Sequence, residues 1–189
     1  MSDQYSAKAN KLLLEALEQD RQAFVTVQSD SMAPLFRVGD QLQIASLAAV
    51  SPELGDVLVF GELEDWVAHR FWGVHKLNDR AYLLTRGDRL PYFDQFVATD
   101  QVWAVVVARR RSDRLLLIDR GIGAMLNRCL WFLVRVEARA LRMPLPTAES
   151  EPGKIATQGL WERMVRRLFY TVMFVLASSA CLLSSQRHT

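Results

Sequence analysis

The chain has 189 residues, half of them apolar, and a formal net charge of +2 that hides an asymmetry. Residues 1–120 carry 14 basic and 17 acidic side chains, whereas residues 121–189 carry 9 basic and 4 acidic ones. The length suits one domain with appendages, and a basic, apolar tail on a mildly acidic body points to a membrane surface rather than to nucleic acid.

The first element, residues 1–22, reads as a short amphipathic helix over 5–19, charged throughout and therefore unlike a signal peptide. Residues 23–120 carry strand signals at 23–28, 41–45, 56–60, 66–75, 81–85 and 101–108, with one more expected around 115–118. Turn residues separate them at Gly39-Asp40, Ser51-Pro52, Gly55-Asp56, Asn78-Asp79 and Gly87-Asp88. Leu42 and Ile44 alternate with polar neighbours, as a half-buried strand should, whereas the continuous run Val57-Leu58-Val59-Phe60 suits a strand covered on both faces. The expected fold is mainly β: a compact, curled β-domain with one N-terminal and two C-terminal helices. The run Arg109-Arg110-Arg111-Ser112-Asp113-Arg114 reads as a solvated hairpin tip or sheet exit, without the interleaved aromatics that stack single-stranded nucleic acid.

Beyond 120 the pattern turns helical. Residues 121–142 alternate Met125, Leu126, Leu130, Leu133 and Val136 with Arg128, Arg135 and Arg139, a basic amphipathic helix. A Pro/Ser/Thr/Glu-rich linker covers 143–159. The last segment, 160–189, holds 18 uncharged residues at 168–185, near the shortest run that spans a bilayer, about 17–25 residues. It is expected to anchor the chain, a helix packed on the domain being the competing reading; if it spans, Arg163, Arg166 and Arg167 before it place the β-domain on the cytoplasmic side. Cys129 and Cys181 lie far apart in apolar helical stretches, which argues for small buried or lipid-facing side chains rather than a disulfide or a metal site.

The chemistry concentrates in three places. Ser31 stands where an apolar strand meets a Met-x-Pro turn; a serine there needs a base and an oxyanion site to be a nucleophile. His69 lies inside the apolar run around Val67-Ala68, and Thr85-Arg86-Gly87-Asp88 ends a later strand, with Asp94 six residues beyond. Together they supply a nucleophile, a base and an orienting carboxylate in the order Ser, His, Asp.

These stretches resemble the type I signal peptidase superfamily, which includes the self-cleaving repressor proteases. The matching segments are Ser29-Asp30-Ser31-Met32-Ala33-Pro34 with Gly39-Asp40, then Gly55-Asp56-Val57-Leu58-Val59-Phe60, His69-Arg70, Thr85-Arg86-Gly87-Asp88 through Asp94, and Val102-Trp103-Ala104-Val105. They cover residues 24–108 in order. His69-Arg70 matches the His-Arg of the endoplasmic-reticulum and archaeal branch; the nearest lysine, Lys76, stands seven residues late for the lysine-based branch. The resemblance implies a serine endopeptidase without a cofactor, in which Ser31 attacks, His69 is the general base and Asp94 fixes its tautomer. Asp88 is a second carboxylate that could share that role or hold the loop. The Ser29 hydroxyl and the Ser31 N–H would form the oxyanion site, Pro34 would set the turn, and Met32 would pack beneath the cleft. The substrate, a peptide or preprotein, would lie extended along a strand edge, with small side chains one and three positions before the cut.

Two departures stand out: the catalytic segment follows a charged helix instead of a membrane span, and Arg89-Leu90-Pro91-Tyr92-Phe93 replaces the polar loop expected after Gly87-Asp88. That aromatic loop could cover the site, contact substrate or bind the helix at 121–142. The alternative function is a catalytically silent peptide-binding or membrane-docking module that keeps the same fold.

Overall fold

A computed structural model describes residues 13, 15–19, 22–61, 66–77, 80–94, 96–146 and 159–185, excluding the side chains of 77 and 180–185. Residues 13 and 15–19 are helical. The strands are β1 (Gln22–Thr26), β2 (Gln41–Ser46), β3 (Val57–Gly61), β4 (Trp66–Leu77), β5 (Arg80–Arg86), β6 (Val97–Ala98), β7 (Val102–Arg111) and β8 (Arg114–Leu117), followed by helices α1 (Gly121–Ala140) and α2 (Leu160–Ser185). The strands pair antiparallel in the order β1-β2-β7-β3-β4-β5-β6, and β8 adds to β7. The expected mainly-β architecture is present. The two-residue strand β6 and the 3-10 turn at Thr99–Gln101 fall in a stretch with no strand pattern to signal them. The Asn78-Asp79 turn and most of the 143–159 linker lie outside the described residues.

β3 and β7 form the middle of the sheet, and their residues serve two cores. Val57, Val59, Ala104 and Val106 face one core; Leu58, Phe60, Val102 and Val105 face the other. This explains the unbroken apolar run in β3, since successive side chains point to opposite faces and both faces are covered. The helices close the first core. Leu126, Leu130 and Val134 of α1 repeat every four residues and are at most 5% exposed, and Met173 and Ala177 of α2 join them. At Gly123 the backbone of α1 comes so close to β8 that an added Cβ would stand 1.7 Å from the Leu117 carbonyl oxygen.

The arginine run corrects an expectation. Arg109 is 1% exposed and donates from Nη1 to the Leu35 carbonyl at 2.9 Å. Arg111, two residues on and so on the same strand face, forks onto both oxygens of Asp40 at 2.7 Å. Only Ser112-Asp113 form the hairpin tip; the strand before it ties down the turn that carries Ser31. Cys129 is exposed, so of the two settings expected for it the buried one does not hold. Among the described residues no helix is long and apolar enough to cross a membrane, and the side chains of 180–185, the end of the expected span, lie outside them.

Candidate active site

Three elements converge on Ser31. β1 ends and the chain turns through 31–36, with Met32, Leu35 and Phe36 buried in the first core, so the expected packing of Met32 is present. Their burial pins the turn and leaves Ser31 partly accessible, with Ser29 and Asp30 exposed. β4 brings His69, 5% exposed, with its ring edge-on to Phe60. The loop after β5 brings Asp94, whose N–H donates to the Thr85 carbonyl at 2.9 Å. The same loop reaches the Ser31 turn directly, the Arg89 N–H donating to the Ser31 carbonyl at 2.9 Å.

The side chains form a continuous hydrogen-bonded line. Ser31 Oγ lies 3.0 Å from His69 Nε2, and His69 Nδ1 lies 2.7 Å from Asp94 Oδ2. Thr85 Oγ1 also donates to that carboxylate oxygen, at 2.8 Å. A carboxylate accepts only. Asp94 therefore accepts a hydrogen bond from the Nδ1–H of His69, which leaves the Nε2 lone pair to accept from the serine hydroxyl. Ser29 Oγ lies 3.2 Å from Ser31 Oγ, at the exposed end of the line.

Asp88 is placed elsewhere. It is 2% exposed and accepts a two-pronged ion pair from Arg70, at 2.7 Å from Nε and 2.6 Å from Nη2. The fully buried Arg70 also donates at 2.6 Å to the Gly55 carbonyl and to Asn127 Oδ1 of α1. Of the two carboxylates that followed Gly87, Asp94 faces the histidine and Asp88 braces the loop.

The helices supply supports that the sequence reading missed. Glu137 of α1 accepts from Arg86 Nη2 at 2.6 Å, and Arg86 Nε donates to the Leu90 carbonyl at 2.8 Å, closing the loop on itself. Phe93, beside Asp94, packs edge-on against Trp72, which packs against Trp131 of α1. The aromatic loop thus binds α1 through Trp72, one of the three roles open to it. A signal was present: Asn127 and Glu137 interrupt the buried stripe of a helix that is otherwise apolar on that side, and a buried carboxylate requires a cation. Among the described residues no group of three or more His, Cys, Asp or Glu could hold a metal ion.

No family model, curated protein or solved structure matches the chain.

Proposed function

We propose that the chain is a serine endopeptidase of the signal-peptidase type, cleaving a peptide or preprotein bound extended beside Ser31. The observation that carries this reading is the Ser31–His69–Asp94 line, at 3.0 and 2.7 Å. A solvated strand-end serine has no need of a buried histidine aligned on it by a carboxylate.

In this mechanism Ser31 Oγ attacks the scissile carbonyl as its proton passes to His69 Nε2. Asp94 stabilises the resulting imidazolium without taking its proton. The carbonyl oxygen becomes an oxyanion, met by the Ser29 hydroxyl and the Ser31 N–H, and His69 returns the proton to the leaving amine. Water, activated by the same imidazole, then hydrolyses the acyl-enzyme.

The chain would work against an anionic bilayer, lying on its surface through α1 and α2. Trp161, Met164, Leu168, Val172 and Val175 of α2 follow one another at three- or four-residue steps and are 40–70% exposed. Met125 and Phe132 of α1 are exposed as well, and the two helices also expose arginines 128, 135, 139, 163 and 167. The acidic residues of the two helices are Glu137, which is buried, and Glu162. Apolar and arginine side chains exposed together suit the interface of an anionic membrane.

Incubation of the purified chain with a library of extended peptides tests the peptidase reading. Cleavage is expected with the wild type and absent with Ser31→Ala. Identical cleavage by both would assign it to a contaminant and defeat the proposal.

A further inference from the structure

A cavity lined by charged side chains lies behind the loop after β5, where that loop meets both helices. It holds about 210 Å³ and is lined by Asp88, Arg89, Glu137, Arg166, Arg167, Tyr170 and Met173. We propose that this cavity binds a phosphate group.

The charge balance carries the proposal. Both oxygens of Asp88 are engaged by Arg70. Those of Glu137 are divided between Arg86, at 2.6 Å, and Arg166, at 3.3 Å. With Asp88 held by Arg70 and Glu137 by Arg86, the cavity lining is left with the guanidinium groups of Arg89, Arg166 and Arg167, against which stand, among the described residues, only Asp30, 3.9 Å from Arg89, and Glu162, which acts on Arg166. The remaining charge is positive and points into a partly dehydrated space.

Arg166 is also poorly satisfied. A guanidinium has five N–H donors in a rigid fork, yet Arg166 directs Nη2 at the Met143 thioether sulfur, 3.9 Å away, a weak acceptor. Its buried Nε, like Nη1 of Arg86, has no hydrogen-bond partner among the described residues. Burial draws the Arg166 pKa below its usual value, and Glu137 acts against that shift. Arg89 completes the mouth, its guanidinium stacked 4.8 Å over the Tyr170 ring and only loosely paired with Asp30 at 3.9 Å.

Several planar forks around one space match the multiple oxygens and higher charge of phosphate better than a single carboxylate. At roughly 30 Å³ per water, the volume equals about seven waters, ample for that group. The phosphate could belong to a lipid headgroup, given the apolar face of α2 nearby, or be a free anion. Because the Arg89 N–H holds the Ser31 carbonyl, an occupied cavity would tie α2 to the Ser31 turn.

The test is thermal unfolding of the full chain in potassium phosphate against potassium chloride and potassium acetate at matched ionic strength, with vesicles of phosphatidylglycerol or phosphatidylcholine as separate arms. Phosphate should raise the midpoint saturably beyond both other salts. Arg166→Gln should weaken that response about tenfold, the loss expected for one charged hydrogen-bonding partner. Arg167 is exposed, so Arg167→Gln tests the same prediction without disturbing a buried group. A phosphatidylglycerol-specific shift that Arg166→Gln, outside the exposed membrane-facing arginines, removes as well as Arg167→Gln identifies the headgroup as the source; a response to inorganic phosphate alone identifies the free anion. Equal midpoints in all three salts with no Arg167-dependent vesicle effect would overturn the site, as would acetate acting as strongly as phosphate. The readout is binding, so the outcome does not depend on whether Ser31 is a nucleophile.

Discussion

His69 keeps its alignment because its surroundings leave the ring little freedom. A Cβ added at Gly87 would stand 2.9 Å from His69 Nε2 and 3.0 Å from Leu90, so Gly87→Ala should push the imidazole off Ser31. Activity should fall while the midpoint of unfolding changes little. Neighbouring positions explain why two carboxylates in one loop have different partners. His69 and Arg70 are adjacent on β4 and so point to opposite faces; each draws its own aspartate from the loop after β5. The sequence shows both aspartates but not which face each one reaches, so their roles become separable only in three dimensions. Asp94→Ala should cost activity by about 10²–10⁴-fold, the usual range for a lost acid–base arrangement, with modest loss of stability. Asp88→Ala should instead strand a buried Arg70 and destabilise the fold by about 3–5 kcal/mol. Chemical denaturation measured beside peptide cleavage distinguishes the two. Asp56 gives a prediction in pH. Burial, the largest influence, raises its pKa above the ordinary carboxylate value. The folded chain therefore holds this proton at higher pH than the unfolded chain does, so the stability contributed by Asp56 is greatest below the unfolded pKa and declines as pH rises through the folded one. Asp56→Asn should stabilise the protein at neutral pH and flatten that decline.

Strands and helices were legible to different degrees. The alternation of Leu42 and Ile44 and the unbroken apolar run of β3 reported their surroundings, because strand periodicity records which faces are covered. The run beginning at Arg109 misled, since charge alone resembles solvent exposure. On β7, positions 109 and 111 share a face beneath Leu35 and Asp40, and only the pairing of β7 with β2 brings them there. The basic, amphipathic character of α1 was readable, while the partners of Asn127 and Glu137 come from distant strands and loops. Docking of α1 rests on its four-residue stripe. Leu130 is fully buried, so Leu130→Ala should cost about 2–5 kcal/mol. Because α1 also holds Arg70 and Arg86, unfolding of the helices should release the loop after β5. Hydrogen exchange is expected to show the amides of α1 and of residues 87–94 losing protection together.

Taken as one molecule, the chain builds a Ser–His–Asp line from a turn, a strand and a loop of the β-domain and braces it with two helices that also expose apolar and basic side chains. The tail composition pointed to a membrane from the outset, and the structure changes what the tail offers: α2 buries Met173 and Ala177 against the domain while exposing its opposite side. Association should therefore depend on charge, with binding to phosphatidylglycerol vesicles that weakens as salt shortens the screening length. The paired substitutions Arg135→Glu and Arg139→Glu should reduce that binding without reducing peptide cleavage in solution. Activation of Ser31 as a nucleophile is read most directly by mass spectrometry of the chain after reaction with a fluorophosphonate probe. A single adduct is expected on the peptide containing Ser31, lost in Ser31→Ala and strongly slowed in His69→Ala and Asp94→Ala. No adduct on Ser31, with or without phosphatidylglycerol vesicles or detergent, would contradict it.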